Sequence, residues 1–250
     1  MLYSSLRSLL FVGALGRSLF SFAQVNAPVN GPATKLGVLT AFVHATVHPS
    51  AGEVLTDATI LVLDDRIVAV GERVTVPAGA VQYDLKGLHV WPGLVEPYSD
   101  FGMPKAERGK EENPLGARFW NPAIRPSTRA DQLYIYDEDK AASLRAQGFT
   151  TVVAHRMDGI ARGTSCTVSL TGLTASEDVI SPRTSAQFSF RKGASKEAYP
   201  NSLTGSIALL RQTFYDARWY SAAGKLEQSD ADLQALNDQL NLPLVFEASN

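Results

Sequence analysis

Gly87-Leu88-His89-Val90-Trp91-Pro92-Gly93-Leu94-Val95-Glu96-Pro97-Tyr98-Ser99-Asp100 separates two kinds of sequence within this chain. From Pro92 onward the organisation changes. On the N-terminal side the apolar residues follow a strand rhythm. Ala41 to His48 alternates small and β-branched side chains until Pro49 stops it. Thr59–Leu63 and Arg66–Val70 flank Asp64-Asp65, a spacing that predicts a two-residue hairpin, because Asp tolerates positive φ better than most residues. A further strand pair is predicted around Val81–Asp84 and Leu88–Val90, which makes residues 24–91 a small, mostly antiparallel β domain.

On the C-terminal side strands alternate with helices. Leu94–Tyr98 reads as a strand, with Pro97 near its end because proline cannot donate a ladder hydrogen bond. Asp139 to Gln147 reads as a helix stopped by Gly148, and Phe149–His155 as the β-branched strand that follows. Cys166–Leu170 and Ala186–Phe190 are two more short strands. Leu203, Ile207, Leu210, Phe214 and Ala217 fall at helical spacing, and a second helix over Asp230–Leu240 turns Leu233, Leu236 and Leu240 inward. Pro243 precedes a last strand, Leu244–Ala248. Between the first strand and helix lies Met103 to Asp131, a polar, Pro-rich stretch. Loops of that length are functional or disordered more often than not, and a plain exposed insertion is the competing reading. Phe119 and Trp120 inside it favour docking onto something.

The Val90-x-Pro92-Gly93-Leu94-Val95-Glu96 junction, the Asp64-Asp65 hairpin, Gly71, Pro77 and the Asp84-x-x-Gly87 spacing together resemble the amidohydrolase superfamily, especially its imidazolonepropionase-like branch. The resemblance runs from about Thr40 to Ala248. It implies an α/β fold: a small β-sandwich-like N-terminal domain, then the first part of an incomplete (β/α)₈ barrel of the TIM type over residues 92–250. A complete barrel takes about 250 residues, more than follow Pro92. The expectation is thus an N-terminal piece of a longer protein, with a C-terminal catalytic barrel segment as its partner.

In that family the first barrel strand ends in a His-x-His pair that binds the catalytic metal, zinc or another divalent ion, for hydrolysis of non-peptide, often cyclic, carbon–nitrogen bonds. The matching positions here are Tyr98 and Asp100. Imidazole is a good zinc donor at neutral pH, whereas a phenol with a pKa near ~10 is a poor one. A later strand delivers a further histidine in the family, and Glu247 stands at that position. The resemblance thus implies a degenerate metal motif, with no catalytic residue, metal or cofactor assigned to this chain. The alternative is an active carbon–nitrogen hydrolase whose site uses Tyr98, Asp100, Glu247 and, as a weaker ligand, His155, completed by residues further along. Oxygen donors of that kind suit Mg²⁺, Ca²⁺ or Mn²⁺ better than zinc. Asp100 and Glu247 are otherwise solvated, or paired with arginines such as Arg156 or Arg162. A third reading is a periplasmic ligand-binding module built on the loop after the first strand.

Other features narrow the field. Of 250 residues, 45% are hydrophobic and the formal net charge is −2, so neither nucleic acid nor an anionic membrane surface is indicated as a partner. Arg7 followed by Ser8–Leu15 and then Leu19–Ala23 reads as a secretory signal peptide over residues 1–23, cut before Gln24, although Arg17 interrupts its apolar run; an N-terminal extension is the alternative. A periplasmic or secreted location follows from the first reading. No later segment has the ~20 apolar residues of a membrane span. Cys166, the single cysteine, reads as core; His44, His48 and His89 read as surface or hydrogen-bonded structural residues; Lys86, Lys105 and Lys110 read as surface charges. Gly159–Gly163 lacks the spacing of a phosphate loop.

Overall fold

The structure, a computed structural model, describes residues 37–107, 118–222 and 229–248, so the signal peptide expected over residues 1–23 lies outside the described residues. These residues form two compact units that divide between Trp91 and Pro92. The fold is mixed α/β, with several sheets and few helices. No helix among the described residues is long and apolar enough to cross a membrane.

The first unit is one five-stranded sheet made of β1 (Leu39–Val47), β2 (Leu55–Leu63), β3 (Arg66–Gly71), β4 (Val81–Asp84) and β5 (His89–Val90). β1, β2 and β3 form an antiparallel meander, with Leu63 opposite Arg66 across the Asp64-Asp65 hairpin. Asp64 takes φ 54°, and its carboxylate accepts the Val38 amide at 2.8 Å, a local reward that offsets the left-handed backbone. β4 and β5 do not pair with each other as the sequence pattern predicts. Both run parallel to β1, end to end along its free edge. A register shift between Phe42 and Ala45 places His44 at φ 60°. One extra residue reverses the facing of everything after it, so Ala41 and Val43 join one apolar cluster while Ala45 and Val47 join another. A single bulged sheet with apolar clusters of its own therefore stands where a sandwich of two sheets is expected.

The second unit holds β6 (Leu94–Ser99), α1 (Ala130–Leu133), α2 (Glu138–Ala146), β7 (Phe149–Ala154), β8 (Ala161–Thr164), β9 (Cys166–Ser169), α3 (Ala175–Asp178), β10 (Val179–Ser181), β11 (Ala186–Ser189), α4 (Leu203–Ala222), α5 (Ala231–Gln239) and β12 (Leu244–Glu247). β6 and β7 pair in parallel through the crossover that carries α2, whose N-terminus is capped by the Asp137 carboxylate on the Lys140 amide. β11 and β12 also pair in parallel, through α4 and α5. Between these two parallel pairs the strand and helix alternation breaks. β9 lies antiparallel to β7 and β10 to β9, while β8 lies antiparallel to β11, giving separate sheets in the orders β10-β9-β7-β6 and β12-β11-β8.

The buried face of α4 is Ser206, Leu209, Leu210, Thr213 and Ala217, and Leu236 is the fully buried apolar residue of α5. Leu203, Ile207 and Leu240, assigned to the interior by periodicity, are exposed. The described part of the long segment after β6 is not a loose insertion. Phe119, Asn121, Ala123 and Ile124 are buried, with Phe119 in the same core cluster as β8, β11, α4 and α5, whereas Trp120 faces solvent. The buried Asp232 of α5 ties this segment down: it accepts the Phe119 and Ser127 amides at 3.2 Å each and the Ser127 hydroxyl at 2.6 Å. Gly163 sits at φ 86°, where any Cβ would fall 2.0 Å from the Thr128 carbonyl oxygen, so only glycine lets the segment lie against β8.

Candidate functional site

Three strands of the second unit bring polar side chains together at their ends. β6 supplies Tyr98, β8 supplies Arg162 and β12 supplies Glu247, and His155 directly follows β7. β12 is fixed by its parallel register on β11, Ser189 opposite Glu247, and by Phe246 stacking on Phe188 with centroids 5.0 Å apart. The Arg162 guanidinium occupies the centre. Its Nη2 lies 2.6 Å from Glu247 Oε2, its Nη1 donates to the Tyr98 hydroxyl at 2.8 Å, and its Nε donates to the Gly159 carbonyl at 3.1 Å. Tyr98 passes its own proton toward Glu247 Oε2 at 2.8 Å, closing a ring of three groups. All three guanidinium nitrogens are engaged, and the side chain is 5% exposed.

The electrostatics follow from that ring. Burial pushes the Glu247 carboxyl upward, but the hydrogen bonds from Tyr98 and Arg162 and the guanidinium charge outweigh it, leaving the pKa below the ordinary carboxylate value. Burial and the bond to Glu247 raise the Tyr98 phenol against the opposing pull of Arg162. His155 is 1% exposed, with its ring tilted against Tyr98 at 4.6 Å between centroids. Neither of its nitrogens has a hydrogen-bond partner among the described residues. Burial, seconded by the Arg162 charge, depresses its pKa to about 4. It is therefore neutral at physiological pH.

Of the residues singled out in the sequence, Tyr98, Glu247 and His155 converge and Asp100 does not join them. Asp100 is exposed, and its carboxylate reaches the cluster only through its field on His155. Pairing of Glu247 with an arginine such as Arg162 is among the readings the sequence allows; what periodicity and motif do not reveal is that the same guanidinium also holds Tyr98. Two further polar residues, Asp232 and Arg125, escaped attention because nothing local marks a helix-start aspartate as fully buried. Cys166 is buried, and burial pushes its thiol up to about 12, which leaves it inert as a nucleophile. His44 pairs with Asp84 at 3.1 Å, and His48 with His89 at 2.9 Å.

The donor set does not fit a zinc ion. The oxygens of Tyr98 and Glu247 that face inward are already spent on a cation of fixed charge, and a guanidinium cannot deprotonate to make way. Among the described residues no group of three or more His, Cys, Asp or Glu side chains is placed to hold a metal.

No family model matches the sequence, and no curated protein matches it either. Solved structures do. The amidohydrolase from Thermotoga maritima MSB8 superimposes with a TM-score of 0.66 at 18% identity, over 84% of this chain and 58% of that one. The fold is amidohydrolase-like. A prolidase complexed with N-methylphosphonate-L-proline aligns at 15% identity, over 84% of this chain and 56% of that chain, with a TM-score of 0.36. A putative prolidase from Bifidobacterium longum aligns at 16% identity, over 84% and 49%, with a TM-score of 0.37. These two are too distant in shape to bear on the fold. This chain spans well under two thirds of the amidohydrolase-like structure it matches.

Proposed function

We propose that this chain is a non-catalytic amidohydrolase-like module, akin to the imidazolonepropionase branch, that serves as scaffold or interface within a longer exported protein. Residues 1–23 are its signal peptide, residues 24–91 its small β domain, and residues 92–250 the first part of a (β/α)₈ barrel completed by a later segment. The parent family hydrolyses non-peptide carbon–nitrogen bonds with a metal-activated water. The observation that carries the non-catalytic reading is the Arg162 guanidinium, held at once by Tyr98 and Glu247 where the family would place a divalent ion. One positive charge already neutralises the carboxylate, and a second cation there would meet repulsion instead of free lone pairs.

The test is metal analysis of the full chain after dialysis against zinc, manganese and magnesium, with a hydrolysis screen over linear and cyclic amides. The expected outcome is substoichiometric metal and no chelator-sensitive turnover. One equivalent of bound metal with turnover lost on chelation overturns the reading.

One observation favours a second reading, the carboxylate-rich hydrolase. His155 is buried beside Tyr98, and neither of its nitrogens has a partner among the described residues, which leaves the ring free to donate to an ion. That reading requires Arg162 to leave the centre. An Arg162→Met variant distinguishes the two, since a hydrolase would gain stoichiometric divalent metal on His155 and Glu247, and a scaffold would not.

A further inference from the structure

We propose that the outer face of α4 is a docking surface for an amphipathic helix of a partner protein, one whose apolar ridge is flanked by acidic residues about two turns apart. The 20-residue α4 carries two apolar faces. The first is the buried one, centred on Leu210, Thr213 and Ala217. The second is turned to solvent and includes Ile207, Tyr215 at 59% exposure and Trp219 at 62%. On a helix of 3.6 residues per turn, Ile207, Arg211, Tyr215 and Arg218 share one side, away from the core-facing positions, while half-buried Phe214 lies at its edge and packs against Phe188 of the core.

That side is concave. Phe214 and Tyr215, together with Leu240 just past α5, line an apolar groove of about 750 Å³ bordered by Arg211 and Arg218. A groove of this kind, with a few polar groups at its rim, suits an inserted apolar ridge. Tyr, Trp and Arg are the residues most enriched where proteins bind one another.

Charge decides the occupant. Arg211 and Arg218 lie seven residues apart, about 10 Å along the axis. Neither has a carboxylate partner among the described residues. The carboxylate nearest them in sequence, Asp216, accepts the Gln212 side-chain amide at 2.7 Å. A second copy of the chain is a poor occupant: a two-fold pairing of α4 with itself, centred near Phe214, would set Arg211 against Arg218 and repeat the repulsion on the other side. A helix bearing acidic residues at the matching spacing meets both arginines while its ridge fills the groove.

The experiment uses a fluorescein-labelled synthetic helix with leucines at i, i+3, i+4 and i+7 flanked by glutamates seven residues apart, titrated with the full chain by anisotropy. A twin peptide carries lysines in place of the glutamates. The glutamate peptide should bind at least about tenfold tighter than its twin, with a blue shift of tryptophan emission, and the double variant Arg211→Glu, Arg218→Glu should reverse the ranking. Both positions are solvent-exposed, so circular dichroism of the variant should match the parent. Absence of binding by the glutamate peptide, or a ranking untouched by the charge reversal, overturns the proposal. So does self-association at micromolar concentration that is lost on Tyr215→Ala, or a preference for phosphatidylglycerol vesicles over the peptide.

Discussion

Two carboxylates of the second unit are each paired with an arginine, and they are built for different purposes. Asp232 is fully buried, and neutral donors satisfy it: two backbone amides and a serine hydroxyl, with Arg125 standing off at 3.6 Å. Arg125 spends Nη1 on the carbonyls of Phe119, Asn121 and Ile124. The aspartate therefore pins a chain segment to a helix start, and its arginine braces that segment's backbone. Glu247 is 28% exposed, and one guanidinium at 2.6 Å and one phenol at 2.8 Å hold it directly. Nothing of the backbone hangs on it. The same two functional groups form a structural rivet in one place and a self-contained ring of side chains at strand ends in the other.

That contrast sets a scale of effects. Asp232→Ala should cost the most, roughly 3–5 kcal/mol, because it strands the buried Phe119 amide with the amide and hydroxyl of Ser127 and removes the carboxylate facing Arg125. Urea unfolding measures it, and a loss below about 1 kcal/mol would mean that the segment from Phe119 to Thr128 does not depend on its rivet.

Acid comes next. The unfolded chain binds a proton at His155 near 6.5, while the native site resists until about 4, so the unfolded state takes up more protons in that window and stability falls as pH drops through it. The loss is of the order of 2–3 kcal/mol. The depressed Glu247 carboxyl adds a smaller loss in the same direction as pH falls below its ordinary value of 4.5. His155→Leu removes two unpartnered buried nitrogens and should leave neutral stability unchanged or higher while flattening the pH 6.5 to 4 slope. Melting curves across that range decide the matter, and an unaltered slope would place the acid sensitivity elsewhere.

Glu247→Ala should cost less, about 1–2 kcal/mol, since the carboxylate is partly solvated and its partners keep one another. If it costs as much as Asp232→Ala, the distinction between rivet and ring collapses. At the bottom stands the exposed His44–Asp84 pair in the first unit, where Asp84→Asn should leave the unfolding midpoint unmoved.

The strands and helices of both units were legible wherever local pattern governs. The Asp64-Asp65 hairpin, the helix ending at Gly148 and the apolar run of β12 all follow from periodicity and turn chemistry, which act over a few residues. The inward face of α4 was not. Leu203 and Ile207 are as apolar as the residues that are buried, and a helix with two apolar faces does not say which one the core will choose. β4 and β5 were found as strands but paired wrongly, because pairing is a choice among distant partners that period two cannot express.

The candidate site divides the same way. That Tyr98, Asp100 and Glu247 offer a phenol and two carboxylates can be read in a line of text, since side-chain chemistry is local. What fills the space between them is not local. Arg162 lies 64 residues from Tyr98 and more distant still from Glu247, and only the tertiary fold that draws β8 toward the ends of β6 and β12 delivers its guanidinium to both. The sequence on its own determined the chemistry of each donor; the tertiary structure alone decided that a fixed cation would hold them, because a charge acts on whatever the fold sets within a few ångströms of it.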